Sequence, residues 1–336
     1  MPKIKRKTIL ILVMVACIIY VTTEMLPALL DRVTPTVTIE YGELITEDEV
    51  PVYILRDETV YSATTSGKIE YRVENGTQIK AGSKVIRFKK DKDEIKEGFD
   101  KTDTKGSLTS KYNDIIDKLG TDAKFYNGEK AKQKGVFSTF IDGNENYFTV
   151  ENFDKITEEK AKDLSDKAED VSRDKVSAKE PIYKITDNSK WYMMCFIDSE
   201  KTSRYEEGHR VKVRLPKGEV KCTVEKIVAD KDKWKVLLST NRYCKGFNEI
   251  RSADAMVTTL DIEGILVPNS CITTKNGVVG VYVVQKTGDN TFVPVRVLGN
   301  DGETSAVSEG YFYDKKGNFV SSVKIYDEII KKPKKE

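Results

Sequence analysis

The chain has 336 residues, 33% of them charged, and its 56 Lys and Arg nearly cancel its 54 Asp and Glu to leave a net charge of +2. That balance excludes a dedicated nucleic-acid binder, which needs a basic excess, while 39% hydrophobic residues are enough to bury two or three small cores. With a single histidine and five cysteines, no two at C-x-x-C spacing, histidine-rich metal sites and zinc or thioredoxin-like motifs are excluded as well.

The N-terminus carries the strongest local signal. Lys3, Lys5, Arg6 and Lys7 precede an apolar run over 9–30, interrupted only by Glu24 near its outer end. About 20 residues at ~1.5 Å rise cross the ~30 Å hydrocarbon layer, so 9–30 is long enough to span, with Ile9, Leu12, Ile18 and Leu30 on the anchor. Basic residues before a span stay cytoplasmic, which places the rest of the chain outside a plasma membrane. A cleaved leader and a lipoprotein signal at Cys17 are the alternatives. Val21-Thr22-Thr23-Glu24 is a poor cleavage site, and Ile18 to Val21 continue the apolar run past the cysteine.

Strand patterns follow over 36–47 and 50–55, where Val37, Ile39 and Tyr41 alternate. A compact β unit covers 60–88, with turns at Gly67, at Asn75-Gly76 and at Gly82; Asn-Gly predicts a type I′ hairpin turn. The composition then changes to Lys, Asp, Glu, Gly and Thr over 89–134, relieved by one helical stripe of Tyr112, Ile115, Ile116 and Leu119. Strands return at 135–141, turn at Asp142-Gly143 and resume through 147–150. Ile156, Ala161, Leu164, Ala168 and Val171 predict a second helix. From Pro181 onward short strands recur at 182–185, 191–197, 211–215, 222–228, 234–238, 256–261, 264–267, 278–285, 292–298 and 322–326, ending in a basic tail at 331–335. That rhythm suggests small barrels or sandwiches. Cys195, Cys222, Cys244 and Cys271 sit in apolar, strand-like contexts and read as buried free thiols, with disulfides left open should they meet an oxidising compartment.

Motifs for chemistry are missing. Gly76 to Lys84 has the wrong spacing for a phosphate loop and leads into a strand rather than a helix; His209 reads as a turn residue; neither H-E-x-x-H nor G-x-S-x-G occurs. The Asn75-Gly76-Thr77 sequon is explained by its turn without a sugar, and the basic tail reads as a solvated terminus.

Together these pieces resemble the HlyD-like membrane fusion proteins, the adaptor subunits of exporters. The resemblance rests on the glycine turns Ser66-Gly67-Lys68-Ile69 and Asn75 to Gly82, the returning half Gly135 to Gly143, the strand Pro181 to Ile185, and a segment from Ile262 to Ser270 continued at Gly280 to Val284 and Pro294 to Val297. It implies a mainly β protein with an N-terminal transmembrane helix, a split lipoyl-like (barrel-sandwich hybrid) domain with a short helical insert, a β-barrel and a membrane-proximal β-domain. On this plan 1–30 is the basic stub and anchor and 31–59 a membrane-proximal β segment. Segments 60–88 and 135–188 form the lipoyl-like domain around the insert 89–134, followed by the barrel at 189–262 and the membrane-proximal domain with the tail at 263–336.

The resemblance further implies a non-catalytic, homo-oligomeric adaptor that binds an integral membrane transporter, with no cofactor and no nucleic acid. A lipoyl or biotinyl lysine has no support: Asp-Lys occurs throughout the chain, and no lysine sits at the Asn75-Gly76 turn. The insert departs from adaptors that reach an outer membrane. At ~1.5 Å per residue a hairpin of its length extends at most ~35 Å. A short reach suits work near a single membrane, and it also admits a second reading, a single-pass envelope scaffold for wall or division machinery without a transporter.

Overall fold

The computed structural model describes residues 14, 15, 20, 35–90, 112–120, 124–126, 128–164, 168–286 and 289–333. Among them no helix is long and apolar enough to cross a membrane. The anchor positions Ile9, Leu12, Ile18 and Leu30 lie outside the described residues. The chain divides into two units, one of residues 47–259 and one of 1–46 with 260–336, and the division falls inside two long strands, Glu40–Leu55 and Ser252–Pro268.

Within 47–259 the latter part is a closed barrel. Arg210–Leu215, Gly218–Asp230, Lys233–Thr240, Trp191–Asp198, Glu40–Leu55 and Ser252–Pro268 pair in that order, and Ser252–Pro268 pairs back onto Arg210–Leu215 through Lys212↔Thr258, Val213↔Val257 and Arg214↔Met256. Alternate residues point inward, as pleated strands require. Val50, Val52 and Ile54 meet Trp191, Met193, Cys195 and Ile197, with Val211, Val213, Val220, Cys222, Val224, Val236 and Leu238 completing the core. Cys195, Cys222, Cys244 and Cys271 are buried free thiols. Burial pushes the Cys195 and Cys222 thiols up to about 12, well away from the thiolate needed for reactivity.

Ahead of the barrel, the sheet order is Gln78–Ile79, Gly135–Ser138, Pro181–Thr186, Glu58–Ser62, Lys124–Phe125, faced by a second sheet of Lys175–Val176, Gly67–Tyr71 and Ile86–Lys90. Tyr61 and Tyr183 stack at 4.9 Å between ring centres in its core, beside Phe137, Ile69, Val85 and Ile182. The first and returning halves are interleaved: Pro181–Thr186 lies between Glu58–Ser62 and Gly135–Ser138.

Several sequence expectations are corrected. The two strands expected over 36–55 are Thr36–Thr38 and one unbroken strand, Glu40–Leu55. Likewise 256–261 and 264–267 fuse into Ser252–Pro268, whereas 292–298 splits into Asn290–Pro294 and Val297–Asn300. No strand forms at 147–150; a turn leads into the 3-10 helix Val150–Lys155, because Phe148 and Phe153 bury against Tyr53, Leu55, Met194 and Phe196 on the outside of the barrel. The second helix spans only Glu158–Leu164, and Val171 leaves its stripe to pack with Tyr112, Ile115 and Leu119. The strand expected over 322–326 is instead a short strand at Glu328–Ile330, which pairs with Thr36–Thr38.

In the other unit, Thr36–Thr38, Glu328–Ile330, Val278–Val284, Thr273–Lys275 and Asn290–Pro294 share a sheet. Its core holds Ile39, Ile265, Val267, Cys271, Val281, Val283, Val307, Val323 and Ile329.

Candidate functional site

The lipoyl-like turns do different jobs. Thr77 N–H donates to the Glu74 carbonyl at 3.2 Å across Asn75-Gly76, but only Gly76 has a positive φ, +82°. A type I′ turn needs positive φ at both positions, so this turn is of another kind. Nor does it close a hairpin, since the strands on either side belong to different sheets. Asn75 is held instead by Thr139: its Oδ1 accepts from the Thr139 amide at 2.6 Å, and its Nδ2 donates to Thr139 Oγ1 at 3.0 Å. The turn thereby pins the first half to the returning half. Gly82, at φ +86°, stands in open space. Gly67 is in extended backbone; a Cβ there would meet the Lys89 carbonyl at 2.5 Å, so glycine permits close strand approach.

Gly143 is tied to the insert. It has φ +84°, and a Cβ would sit 2.8 Å from Lys118 Cβ and 3.3 Å from Ile115 Cα, both on the insert helix Asn113–Leu119. That helix buries Ile115 and Leu119 against Val60, Ile141 and Val171, so this part of the insert folds back onto the domain. Gly143→Ala is expected to destabilise by about 1–3 kcal/mol through strained φ and crowding. Hydrogen exchange should quicken first in 113–119; unchanged exchange there would refute the docking role.

Next to Gly143 lies a group of charges that the sequence does not announce. Arg56, Glu58, Asp142, Glu145, Lys184 and Arg251 are each no more than 6% exposed. Arg251, just before the last barrel strand, is the centre. Its Nε donates to Asp142 Oδ2 at 2.7 Å, and its Nη2 donates to Glu58 Oε2 at 2.7 Å and to Asp142 Oδ1 at 3.2 Å. The guanidinium also lies 5.2 Å over the Phe148 ring. Lys184 bridges Glu58 Oε1 at 2.8 Å and Glu145 Oε1 at 3.2 Å. Arg56 reaches Glu58 at 3.3 Å and donates to the Phe247 carbonyl. Glu145 also accepts the amides of Asp142 and Gly143 at 3.1 and 3.0 Å, which fixes the loop.

Three cations thus face three carboxylates in a buried site. Burial alone would raise the Glu58 pKa, but Arg251, Arg56 and Lys184 overcome it and hold the group well below the usual carboxylate range. Asp142 is held low against burial by Arg251 and Lys184. Glu145 goes the other way: burial raises it, and the neighbouring Asp142 and Glu58 outweigh part of what Lys184 returns. Among the described residues no three His, Cys, Asp or Glu side chains gather as a metal site. The cluster joins the barrel residue Arg251 to the lipoyl-like residues Glu58, Asp142 and Lys184, and the Phe148–Phe153 layer joins the same two domains alongside it.

Lys184 gave the one readable hint, a lysine in the apolar strand Ile182-Tyr183-Lys184-Ile185. The cluster as a whole depends on partners up to 193 residues apart, Glu58 and Arg251, which no local pattern exposes.

Residues 58–187 match the family model described as the RND-related barrel-sandwich hybrid domain, and residues 191–261 match the RND-related beta-barrel domain. No curated protein matches the sequence. Among solved structures, MacA from Actinobacillus actinomycetemcomitans is similar at 11% identity and TM-score 0.34, over 88% of this chain and 99% of that one. ZneB from Cupriavidus metallidurans is similar at 11% identity and TM-score 0.26, over 90% and 93%. The membrane fusion protein Spr0693 from Streptococcus pneumoniae R6 is similar at 9% identity and TM-score 0.24, over 63% and 97%. With both domain models matched in order, the chain carries an RND-related barrel-sandwich hybrid domain followed by an RND-related β-barrel domain.

Proposed function

We propose that the protein is the membrane-anchored, extracytoplasmic adaptor of an export complex, held at the plasma membrane by residues 9–30 and assembled as a homo-oligomer on an integral membrane transporter. It does no covalent chemistry. The observation that carries this reading is the junction: its buried charges bind one domain to the next. Such a device serves a protein whose task is to hold interaction surfaces at a fixed angle. The folded-back helix Asn113–Leu119 supports an adaptor that works close to its own membrane.

The test is purification of the tagged full chain from membranes of its own host after mild cross-linking, with the partners identified by mass spectrometry. An export ATPase or secondary exporter in stoichiometric amount is the expected result. Recovery of wall or division proteins alone would overturn the adaptor reading in favour of the scaffold.

A further inference from the structure

A two-stranded hairpin in the unit formed by 1–46 and 260–336 presents an aromatic face to solvent. Tyr311–Tyr313 pairs with Phe319–Ser321 in the register Tyr311↔Ser321, Phe312↔Val320 and Tyr313↔Phe319. Alternation puts Tyr311, Tyr313 and Phe319 on one side and Phe312 with Val320 on the other. The three outer rings are 54%, 59% and 64% exposed, although they touch one another: Phe319 stacks on Tyr311 at 5.3 Å and meets Tyr313 edge-on at 6.3 Å. The large aromatic residues of the cores, such as Trp191, Tyr61, Tyr183 and Phe137, are fully buried. An ordered, contiguous aromatic patch left in water marks an interaction surface.

The turn of the hairpin says what kind of surface it meets. Asp314 directs its carboxylate into the turn, accepting from the Lys316 and Asn318 amides at 2.8 Å each and from Asn318 Nδ2 at 2.9 Å. Those hydrogen bonds hold its pKa below the usual carboxylate range. Lys315 and Lys316 are left exposed at the tip, and among the described residues neither has a carboxylate within ion-pair reach. Tyrosines beside lysines are the composition of a membrane–water interface, where amphipathic rings sit at headgroup level and ammonium groups meet phosphate. In the same unit the Pro35 carbonyl accepts from the Lys331 amide at 2.8 Å. Only residues 31–34 separate Pro35 from the end of the proposed span. At about 3.5 Å per residue that tether is at most about 17 Å long.

We propose that the aromatic face of the 311–321 hairpin docks into the headgroup layer of an anionic phospholipid bilayer, with Lys315 and Lys316 on the lipid phosphates. The tether argument rests on the anchor proposed above; the aromatic face and its lysines stand apart from it. The docked hairpin sets the height and tilt of this unit over the membrane.

The experiment uses the full chain carrying Phe319→Trp, reconstituted into vesicles of phosphatidylcholine and phosphatidylglycerol brominated high on the acyl chains. Difference spectra against the unsubstituted chain remove Trp191 and Trp234. We expect about twofold quenching of the new tryptophan, reduced to near nothing by Lys315→Glu with Lys316→Glu or by vesicles lacking phosphatidylglycerol. An unquenched tryptophan in a chain that resists alkaline extraction would overturn the docking and leave the anchor standing. A chain extracted by alkali yet quenched on added vesicles would keep the docking and lose the anchor. Shielding from iodide that appears only when a transporter is co-reconstituted, without bromine quenching, would assign the face to a protein and overturn the lipid proposal.

Discussion

Replacing Arg251 with Met is expected to cost about 3–5 kcal/mol of unfolding free energy, because it strands buried carboxylates without their principal cation. Glu58 and Asp142 each lose a 2.7 Å charged hydrogen bond, and neither is exposed enough for water to take the place of the guanidinium. The pH dependence has a defined sign. Glu58 and Asp142 are depressed in the folded state, so the stability they supply is present above the ordinary carboxylate range and is lost as pH falls through their lower folded values. Glu145 is raised, so its contribution is present at low pH and lost as pH rises through its folded value, which partly offsets the other two. The deficit of Arg251→Met should therefore be largest near neutral pH and shrink below about pH 4, where unpaired carboxylates take up protons. Urea unfolding of both proteins across that range is the check. A deficit under about 1 kcal/mol at pH 7 would show that the cluster can be opened at little cost.

Trp191→Ala should be as damaging, by about 3–5 kcal/mol, since it empties the largest fully buried side chain from the barrel core. Trp191 packs 5.1 Å from Phe247 and donates its indole N–H to the Arg242 carbonyl at 2.9 Å. Phe247 in turn offers its carbonyl to Arg56, so the cavity would loosen one support of the charge cluster. Trp191→Phe keeps most of the ring volume and should recover all but about 1–2 kcal/mol, the part due to the hydrogen bond and the missing second ring. Guanidinium denaturation of the two variants separates cavity from hydrogen bond; equal losses would contradict the packing argument.

The fold was legible wherever one face of an element decides its burial. Val211-Lys212-Val213-Arg214-Leu215 alternates and is a barrel strand, and Tyr112, Ile115 and Leu119 mark a helix that buries those residues. Legibility failed where charges are satisfied from afar. Asp48-Glu49, at the end of the strand pattern that closes on Glu47, reads as a break between two strands, yet it lies inside Glu40–Leu55. Asp48 receives Arg204 at 2.6 Å and the Tyr205 hydroxyl at 3.2 Å, while Glu47 receives Arg214 at 3.0 Å and Thr258 at 2.8 Å. Barrel closure brings those donors round, and no window of local sequence contains them. The same cause hid the junction, where Asp142 read as a turn residue. Asn75-Gly76 misled differently: its residues do turn the chain, but the Thr139 contacts fix a geometry that hairpin statistics do not anticipate.

Pairing of Arg210–Leu215 with Ser252–Pro268 leaves the barrel without a free edge. A partner therefore cannot insert a strand of its own at that seam, and the seam gives aggregation no template of unpaired amides. Whatever grips the barrel must read side chains on its outer wall, so specificity there is open to change by surface substitution without disturbing a single backbone hydrogen bond.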